Sequence, residues 1–267
     1  MEIKEYVKKT KENLKDCIAS LEIKPKFVII QVNDDEASKA YIKGKLKDAN
    51  EVGIEVELKK FPIDISQIEL LKEIEKVNKD RSVHGLIVQM PLPRQIDEEI
   101  IKLAVSPEKD IDGFHPLSSL NPCTPQGIIT FLKENNEIIE GKNALVIGRS
   151  NIVGKPMAKL LLKENANVTI VHSKTKKEDM KFYIEHADII VVAVGRKYFL
   201  NNEYSYKKDA IIIDVGINRI DGKLYGDAEP NLLVRYQSPV PGGVGLLTRL
   251  TLLRNLLEAY KHGISNN

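Results

Sequence analysis

Tyr41 and Lys45 lie four residues apart in a stretch whose pattern predicts a helix over residues 38–53. Residues at i and i+4 share a helix face, so the phenol and the amine should lie side by side, with Ser38 one turn earlier. A lysine amine that is partly removed from water can accept a proton in catalysis. Taken alone, however, such a pair is more often an ordinary helix surface.

Three other segments carry polar or glycine-rich groups that suit a ligand site. Gln89 follows an apolar run and should project from the carboxyl end of a strand, where α/β folds bind ligands. Asp110 and Asp112 lie in "KDIDGFHP", close to the expected boundary between two domains. The segment "PVPGGVG" (239–245) is dense in glycine and proline, which suits a backbone that approaches a flat ligand.

The stretch "VIGRSNIVGKPM" (146–157) reads as a strand, a glycine turn and the start of a helix. Gly148 and Gly154 have one residue too many between them for the G-x-G-x-x-G fingerprint or the P-loop, and Pro156 replaces the hydroxyl that a P-loop needs. A strand end beside a helix N-terminus suits a phosphate, so we expect a relaxed dinucleotide turn. An ordinary strand-to-helix connection is the alternative.

The end of the next strand indicates which dinucleotide would bind. NAD-binding folds place a carboxylate there for the ribose 2′-hydroxyl, but "TIVHSKTKK" offers none before Glu178. Ser173, Thr175 and the neighbouring lysines, with Arg149 in the preceding loop, favour a 2′-phosphate and therefore NADP. A solvated charge run is the alternative reading of these lysines.

Composition excludes several classes of protein. The chain has 267 residues, a net charge of +2 and 29% charged residues, so nothing indicates a nucleic-acid or membrane-surface protein. We find no run long enough to span a bilayer and no signal peptide, and Cys17 and Cys123 lack metal or redox spacing. We expect a cytoplasmic protein with reduced thiols. Without an HExxH motif or a His/Cys cluster, we expect no metal.

Strand-like runs alternate with helical patterns along the chain, which predicts an α/β fold with parallel strands. We expect two α/β domains around a cleft, the second of them a Rossmann-like dinucleotide-binding domain. Residues 1–118 would form the substrate domain and residues 119–245 the cofactor domain. The C-terminal helix, within residues 246–267, should return to the first domain through an apolar stripe of Leu250, Leu253, Leu257 and Tyr260.

The chain resembles the bifunctional methylenetetrahydrofolate dehydrogenase/methenyltetrahydrofolate cyclohydrolase family from end to end. The resemblance rests on eight motifs in family order: "SKAYIKGK", "GLIVQMPLP", "KDIDGFHP", "PCTPQGI", "GRSNIVGKP", "HSKT", "DVGIN" and "PVPGGVG". It implies NADP-dependent oxidation of 5,10-methylenetetrahydrofolate to the methenyl form, followed by hydrolysis to 10-formyltetrahydrofolate. It also implies a homodimer.

The resemblance implies roles for the residues already considered. Lys45 would be the catalytic lysine, Gln89 its hydrogen-bonding partner, Tyr41 the residue against the folate ring, and Asp112 the anchor of the pterin's polar edge. The remaining candidates divide into folate-side positions, Ser38, Pro241, Gly242 and Gly243, and cofactor positions, Gly148, Arg149, Ser150, Ser173, Thr175 and Ile217.

This sequence departs from the family pattern in a few places. "VQMPLP" replaces "VQLPLP", "GDAEP" replaces "GDVDF", and the connection between "GFHP" and "PCTP" is shortened to "LSSLN". Leu246 and Leu247 stand beside the folate segment where the family has Pro and Met. None of these changes removes a proposed catalytic group.

Two other functions remain open at this stage. One is another NADP oxidoreductase with a catalytic lysine, such as the shikimate dehydrogenase type, which would turn over a different substrate. The other is a non-catalytic module that binds NADPH without turnover. The non-catalytic module gives no reason for Lys45, Gln89 and Asp112 to lie where they do, and a folate-dependent absorbance change with methylenetetrahydrofolate would distinguish the bifunctional enzyme from the shikimate dehydrogenase type.

Overall fold

The computed structural model describes residues 2–33 and 35–265, and these divide into two compact units. The first unit comprises residues 8–123 and 249–265, and the second unit comprises residues 2–7 and 124–248. The division therefore lies a few residues beyond the expected boundaries at 118 and 245, and the first residues of the chain cluster with the second unit.

The first unit is built on three parallel strands in the order β2-β1-β3. Valine and isoleucine on one face of β1 pack against Leu70, Ile74 and Val77 of helix α3. The capping box of Ser66 and Glu69 fixes where α3 begins, as expected for a Ser at this position. The elements are α1 (Ile3–Ala19, shared with the second unit), β1 (Lys26–Gln31), α2 (Glu36–Val52), β2 (Glu55–Lys60), α3 (Gln67–Lys79), β3 (Gly85–Val88) and α4 (Glu98–Ala104).

The second unit is built on parallel strands in the order β10-β7-β6-β4-β5. Alternate residues of its central strands enter two cores, one with α5 and α6 and the other with α7, so helices cover both faces. The elements are α5 (Cys123–Glu134), β4 (Asn143–Ile147), α6 (Gly154–Lys163), β5 (Asn167–Val171), α7 (Lys177–His186), β6 (Ile189–Val192), β7 (Ile211–Asp214), the hairpin β8 (Asn218–Ile220) and β9 (Lys223–Tyr225), β10 (Tyr236–Gln237) and α8 (Val244–Ser265).

The predicted α/β class with parallel strands is confirmed, but several elements were not predicted. The runs "NVTIVH" (167–172) and "DIIVVAVG" (188–195) predict consecutive strands, whereas α7 lies between them. Only Met180 and Ile184 of α7 are buried, so its apolar pattern is short. The sequence interpretation also omitted α1, the hairpin and β10, and it assigned "GLIVQMPL" (85–92) to one strand, which extends β3 four residues beyond Val88.

The C-terminal part of α8 packs within the first unit. Its residues Leu250, Leu253, Leu257 and Tyr260 are all buried, and the Tyr260 hydroxyl donates to the carbonyl of Ile23 at 2.7 Å. Among the helices of the described residues, none is long and apolar enough to cross a membrane.

Candidate functional site

Lys45 lies on α2 and is almost completely buried, with 4% of its surface exposed. Its Nζ lies 5.1 Å from the centroid of the Tyr41 ring, on the same face of the helix. The amine therefore lies over a π face and is largely removed from water. The spacing of the two residues in the sequence predicted this arrangement.

Gln89 provides the hydrogen-bond acceptor for this lysine. Its backbone N–H donates to Ile30 at 2.9 Å, and its side-chain Nε2 donates to the carbonyl of Met90 at 2.7 Å. These bonds orient the amide so that Oε1 accepts from Lys45 Nζ at 3.2 Å. This acceptor is a neutral amide, so the hydrogen bond holds the amine in place without pairing it with a carboxylate.

The segment from Asp110 to Cys123 supplies the carboxylates of the first unit. Asp110 is buried and accepts the N–H groups of Gly113 and His115 at 3.1 and 2.6 Å. Burial raises the pKa of Asp110 to about 6, although these N–H groups lower it. Asp110 therefore holds the turn, whereas Asp112 is partly exposed and is the better placed of the two to meet a ligand.

Cys123 lies within the electrostatic influence of both Asp112 and Lys45, which the sequence interpretation did not anticipate. Its backbone N–H donates to the carbonyl of Asp112 at 3.2 Å. Burial raises the pKa of the Cys123 thiol well above its usual value, the charge of Asp112 raises it further, and the charge of Lys45 lowers it. Asp112 and Lys45 thus both act electrostatically on the same buried thiol.

The other folate-side candidates are less directly placed. Ser38 is buried in the first turn of α2, where its backbone N–H donates to Asp35 Oδ1 at 3.0 Å. In the second unit, Gly242 has a positive φ of 92°, and a Cβ on Gly243 would lie 2.1 Å from the carbonyl oxygen of Pro239. The segment around the exposed Pro241 therefore needs its glycines for its own backbone conformation.

The glycine turn after β4 is held by close backbone contacts. Gly148 has a φ of 121°, and a Cβ there would lie 2.4 Å from the carbonyl oxygen of Ala193. A Cβ on Gly154 would lie 2.4 Å from the carbonyl oxygen of Gly148. The two glycines therefore bring the N-terminus of α6 against the strand end, and the Ser150 hydroxyl accepts the N–H groups of Val153 and Gly154.

A cavity of about 600 Å³ opens beside this turn in the second unit. The loops that line it follow β4, β5 and β6, which are neighbours in the sheet and run parallel. Such an edge is where α/β sheets bind ligands. The polar and glycine residues that line the cavity are Gly148, Arg149, His172, Ser173, Thr175, Lys177, Arg196 and Tyr204.

The described residues that line this cavity include three basic side chains and no carboxylate. Of the predicted cofactor residues, Gly148, Arg149, Ser173 and Thr175 line it, whereas Ser150 and Ile217 do not. Lys177 and Arg196 were not predicted. The basic run at residues 174–177 was the sequence signal for Lys177. Arg196 follows another strand, β6, and it reaches the cavity only because β6 lies beside β4 in the sheet. The cavity thus suits a ligand with several phosphates.

Comparison with known proteins matches both units to one family. The profile of the tetrahydrofolate dehydrogenase/cyclohydrolase catalytic domain matches residues 1–112, and that of its NAD(P)-binding domain matches residues 122–264. The chain belongs to the tetrahydrofolate dehydrogenase/cyclohydrolase family.

Individual relatives agree with this assignment. A protein from Oceanobacillus iheyensis, named bifunctional protein FolD, is 46% identical over 97% of this chain and 95% of its own length. The crystal structure of the bifunctional dehydrogenase/cyclohydrolase from Campylobacter jejuni is 40% identical with a TM-score of 0.92, and covers 98% of both chains. The Trypanosoma brucei enzyme, solved with NADP and an inhibitor, is 30% identical with a TM-score of 0.94, and the match covers 99% of this chain and 97% of that one.

These findings confirm the predicted family, the enzyme class and NADP as the cofactor. They do not test the roles of individual side chains. Those roles rest on the geometry described above.

Proposed function

We propose that this protein oxidises 5,10-methylenetetrahydrofolate with NADP and hydrolyses the resulting 5,10-methenyltetrahydrofolate to 10-formyltetrahydrofolate, two steps of one-carbon metabolism. The observation that carries the proposal is the buried Lys45, which is held by neutral Gln89 and lies against the ring of Tyr41. The family assignment and the basic cavity of the second unit support the same function.

The cavity residues fit NADP. Arg149, Lys177 and Arg196 provide positive charge for its phosphates, and Ser173 and Thr175 provide hydroxyls at the end of β5. Bound NADP supplies the acceptor for the hydride that leaves the one-carbon bridge of the folate. The chain itself has to hold the dinucleotide in the cavity and to hold the folate at the lysine site.

Hydrolysis requires a proton acceptor, and Lys45 is our candidate. Water adds to the methenyl carbon, the bond from that carbon to N5 breaks, and the carbon becomes the formyl group on N10. Lys45 Nζ accepts one proton from the attacking water. The remaining proton, on the added hydroxyl, goes to N5 as the bond from N5 to the carbon breaks, so the proton taken by Lys45 is the one released overall. Gln89 positions the amine, Tyr41 packs against the folate ring, and Asp112 accepts hydrogen bonds from the pterin.

We also propose a homodimer in the cytoplasm that acts on small-molecule substrates and not on nucleic acid. The family resemblance supports the dimer, and the two free cysteines of the described residues, Cys17 and Cys123, suit a reducing compartment. A monomeric mass in solution at micromolar protein concentration would exclude the dimer.

Two spectrophotometric assays test the function. Purified protein mixed with NADP and methylenetetrahydrofolate should produce NADPH, and methenyltetrahydrofolate alone should lose its absorbance as it is hydrolysed. If NADPH binds but neither reaction occurs, the protein is a nucleotide-binding module and the proposal is wrong.

A further inference from the structure

Two motifs of the second unit, "DVGIN" (214–218) and "GDAEP" (226–230), place two carboxylates in its interior. Asp214 and Asp227 are 2% and 0% exposed. A Cβ on Gly216 would lie 2.2 Å from Oδ1 of Asp227, and a Cβ on Gly226 would lie 1.9 Å from Oδ2 of Asp214. The glycine of each motif is therefore required because the carboxylate of the other motif lies against it.

Asp227 accepts three successive backbone N–H groups. Oδ2 accepts from Val194 and Gly195 at 2.6 and 2.9 Å, and Oδ1 accepts from Arg196 at 2.8 Å. Gly195 has a φ of 66°, and such a backbone points consecutive N–H groups at one anion. Oδ1 also accepts from Nδ2 of Asn218 at 2.9 Å.

Asp214 in turn fixes the position of Asp227. It ends β7, and its Oδ1 accepts the N–H groups of Gly216 and Asp227, both at 2.9 Å. Its Oδ2 accepts the N–H of Ala228 at 2.8 Å. Hydrogen bonds thus run without interruption from a central strand, through two carboxylates, to the loop that follows β6.

This loop lines the basic cavity, to which it contributes Ala193, Val194 and Arg196. Asp227 itself does not line the cavity, and its oxygens already accept four donors. It can therefore influence a ligand only through the loop that it holds.

We propose that Asp227 is a positioning residue for NADP binding, which fixes the loop 194–196, and with it Arg196, in the conformation that lines the cavity. The inference rests on the proposed function, because it assigns the ligand of that cavity as NADP. It predicts an effect on the reaction that uses NADP and none on the hydrolysis, which uses no nucleotide.

The test compares the wild type with Asp227→Asn in both reactions. The amide would turn N–H groups toward backbone N–H groups, so the loop should move. We expect the KM for NADP to rise about tenfold or more, the dissociation constant for NADPH to rise in parallel in a fluorescence titration, and hydrolysis of methenyltetrahydrofolate to keep its wild-type rate. Asp188→Asn is the matched control, because Asp188 accepts the N–H of Asn143 at the opposite end of the strands. The KM of this variant for NADP should equal that of the wild type.

Equal losses of both activities in Asp227→Asn, or an unchanged KM for NADP, would overturn the proposal. If Asp227→Asn does not fold, Asn218→Ala removes one donor from the same carboxylate. It should raise the KM for NADP by a smaller factor, and an unchanged value would count against the proposal. If the wild type turns over no folate, the proposed function fails, and NADPH binding by the variants still decides the role of Asp227.

Discussion

The two candidate sites of this protein are built in different ways. In the first unit, the side chain of Lys45 contacts those of Gln89 and Tyr41, and the amine is buried. In the second unit, the cavity is lined by exposed side chains, such as Arg149 and Ser173, on loops whose shape depends on backbone N–H groups. The first arrangement protects one reactive group from water, and the second remains accessible to a ligand that has to enter and leave.

This difference predicts different responses to mutation. Removing a group from the lysine site should affect the rate of a chemical step. Removing a group from the cavity should affect the affinity for NADP and leave the hydrolysis unchanged.

The largest effect is expected for Lys45→Met, which keeps the apolar stem but removes the amine. General-base assistance contributes about 10²–10⁴ in rate, so cyclohydrolase activity should fall by that factor, and dehydrogenase activity should fall less. Methenyltetrahydrofolate should accumulate when the two reactions are followed together. Lys43→Met, which alters an exposed lysine of the same helix, is the control. Wild-type hydrolysis by Lys45→Met would show that this lysine is not the base.

Gln89→Glu tests whether the neutral partner of Lys45 matters. A carboxylate at this position would form an ion pair with Lys45 in place of the neutral hydrogen bond and compete with its role as proton acceptor, so hydrolysis at pH 7 should fall about tenfold or more. The rate of methenyltetrahydrofolate hydrolysis measures this loss. Gln95→Glu alters an exposed glutamine of the same unit and should hydrolyse at the wild-type rate. A wild-type rate for Gln89→Glu would remove Gln89 from the mechanism.

Arg149→Ala tests the choice of cofactor in the second unit. A charge-assisted hydrogen bond contributes about 1.5–3 kcal/mol, so NADP should bind more weakly by about tenfold or more, whereas NAD binding should hardly change. Equilibrium titrations with both cofactors would measure this, with the exposed Lys159 changed to Ala as the control. An equal loss for the two cofactors would mean that the arginine contacts the pyrophosphate or supports the loop.

Much of the fold follows from local patterns in the sequence. The central strands of both sheets, such as β1 and β4, are short apolar runs rich in valine and isoleucine and bounded by polar residues, and helix α3 begins at a recognisable capping box. Helix α7 was missed because only two of its residues are buried, so its sequence is mostly polar. The hairpin and β10 are two or three residues long and carry no apolar run.

The sites were predictable where they depend on spacing along the chain. Tyr41 and Lys45 share a face because they are four residues apart on a helix, and the turn after Gly148 follows its strand directly. The placement of Arg196 depends on which strands are neighbours, and local spacing does not determine that order. The role of Asp227 depends on a contact between two loops more than thirty residues apart in sequence.

The smallest expected effect concerns the stability of the second unit, in which Asp214 supports the loop that holds Asp227. Burial raises the pKa of Asp214 from 3.8 to about 6, although the N–H groups of Ala228, Asp227 and Gly216 lower it. In the unfolded chain the carboxyl ionises near its ordinary pKa of 3.8. Between this value and about 6, the carboxyl is ionised in the unfolded chain but still largely protonated in the native protein. The free energy of unfolding therefore falls as the pH rises through this window. Asp214→Asn replaces the carboxyl with an amide, which does not ionise in this pH range.

The free energy of unfolding of the wild type, relative to that of Asp214→Asn, should therefore be larger by about 1 kcal/mol at pH 5 than at pH 7.5, so the wild type is relatively more stable at pH 5. Urea unfolding of both proteins at the two pH values measures this difference. Asp188→Asn is again the control, because the pKa of Asp188 is lowered by hydrogen bonds from Lys207 and Asn143, although burial raises it. Asp188 therefore titrates below this window. The difference in the free energy of unfolding between Asp188→Asn and the wild type should be the same at both pH values. A constant difference for Asp214→Asn would mean that the carboxyl keeps its ordinary pKa, and that the cavity loop is supported without a cost at neutral pH.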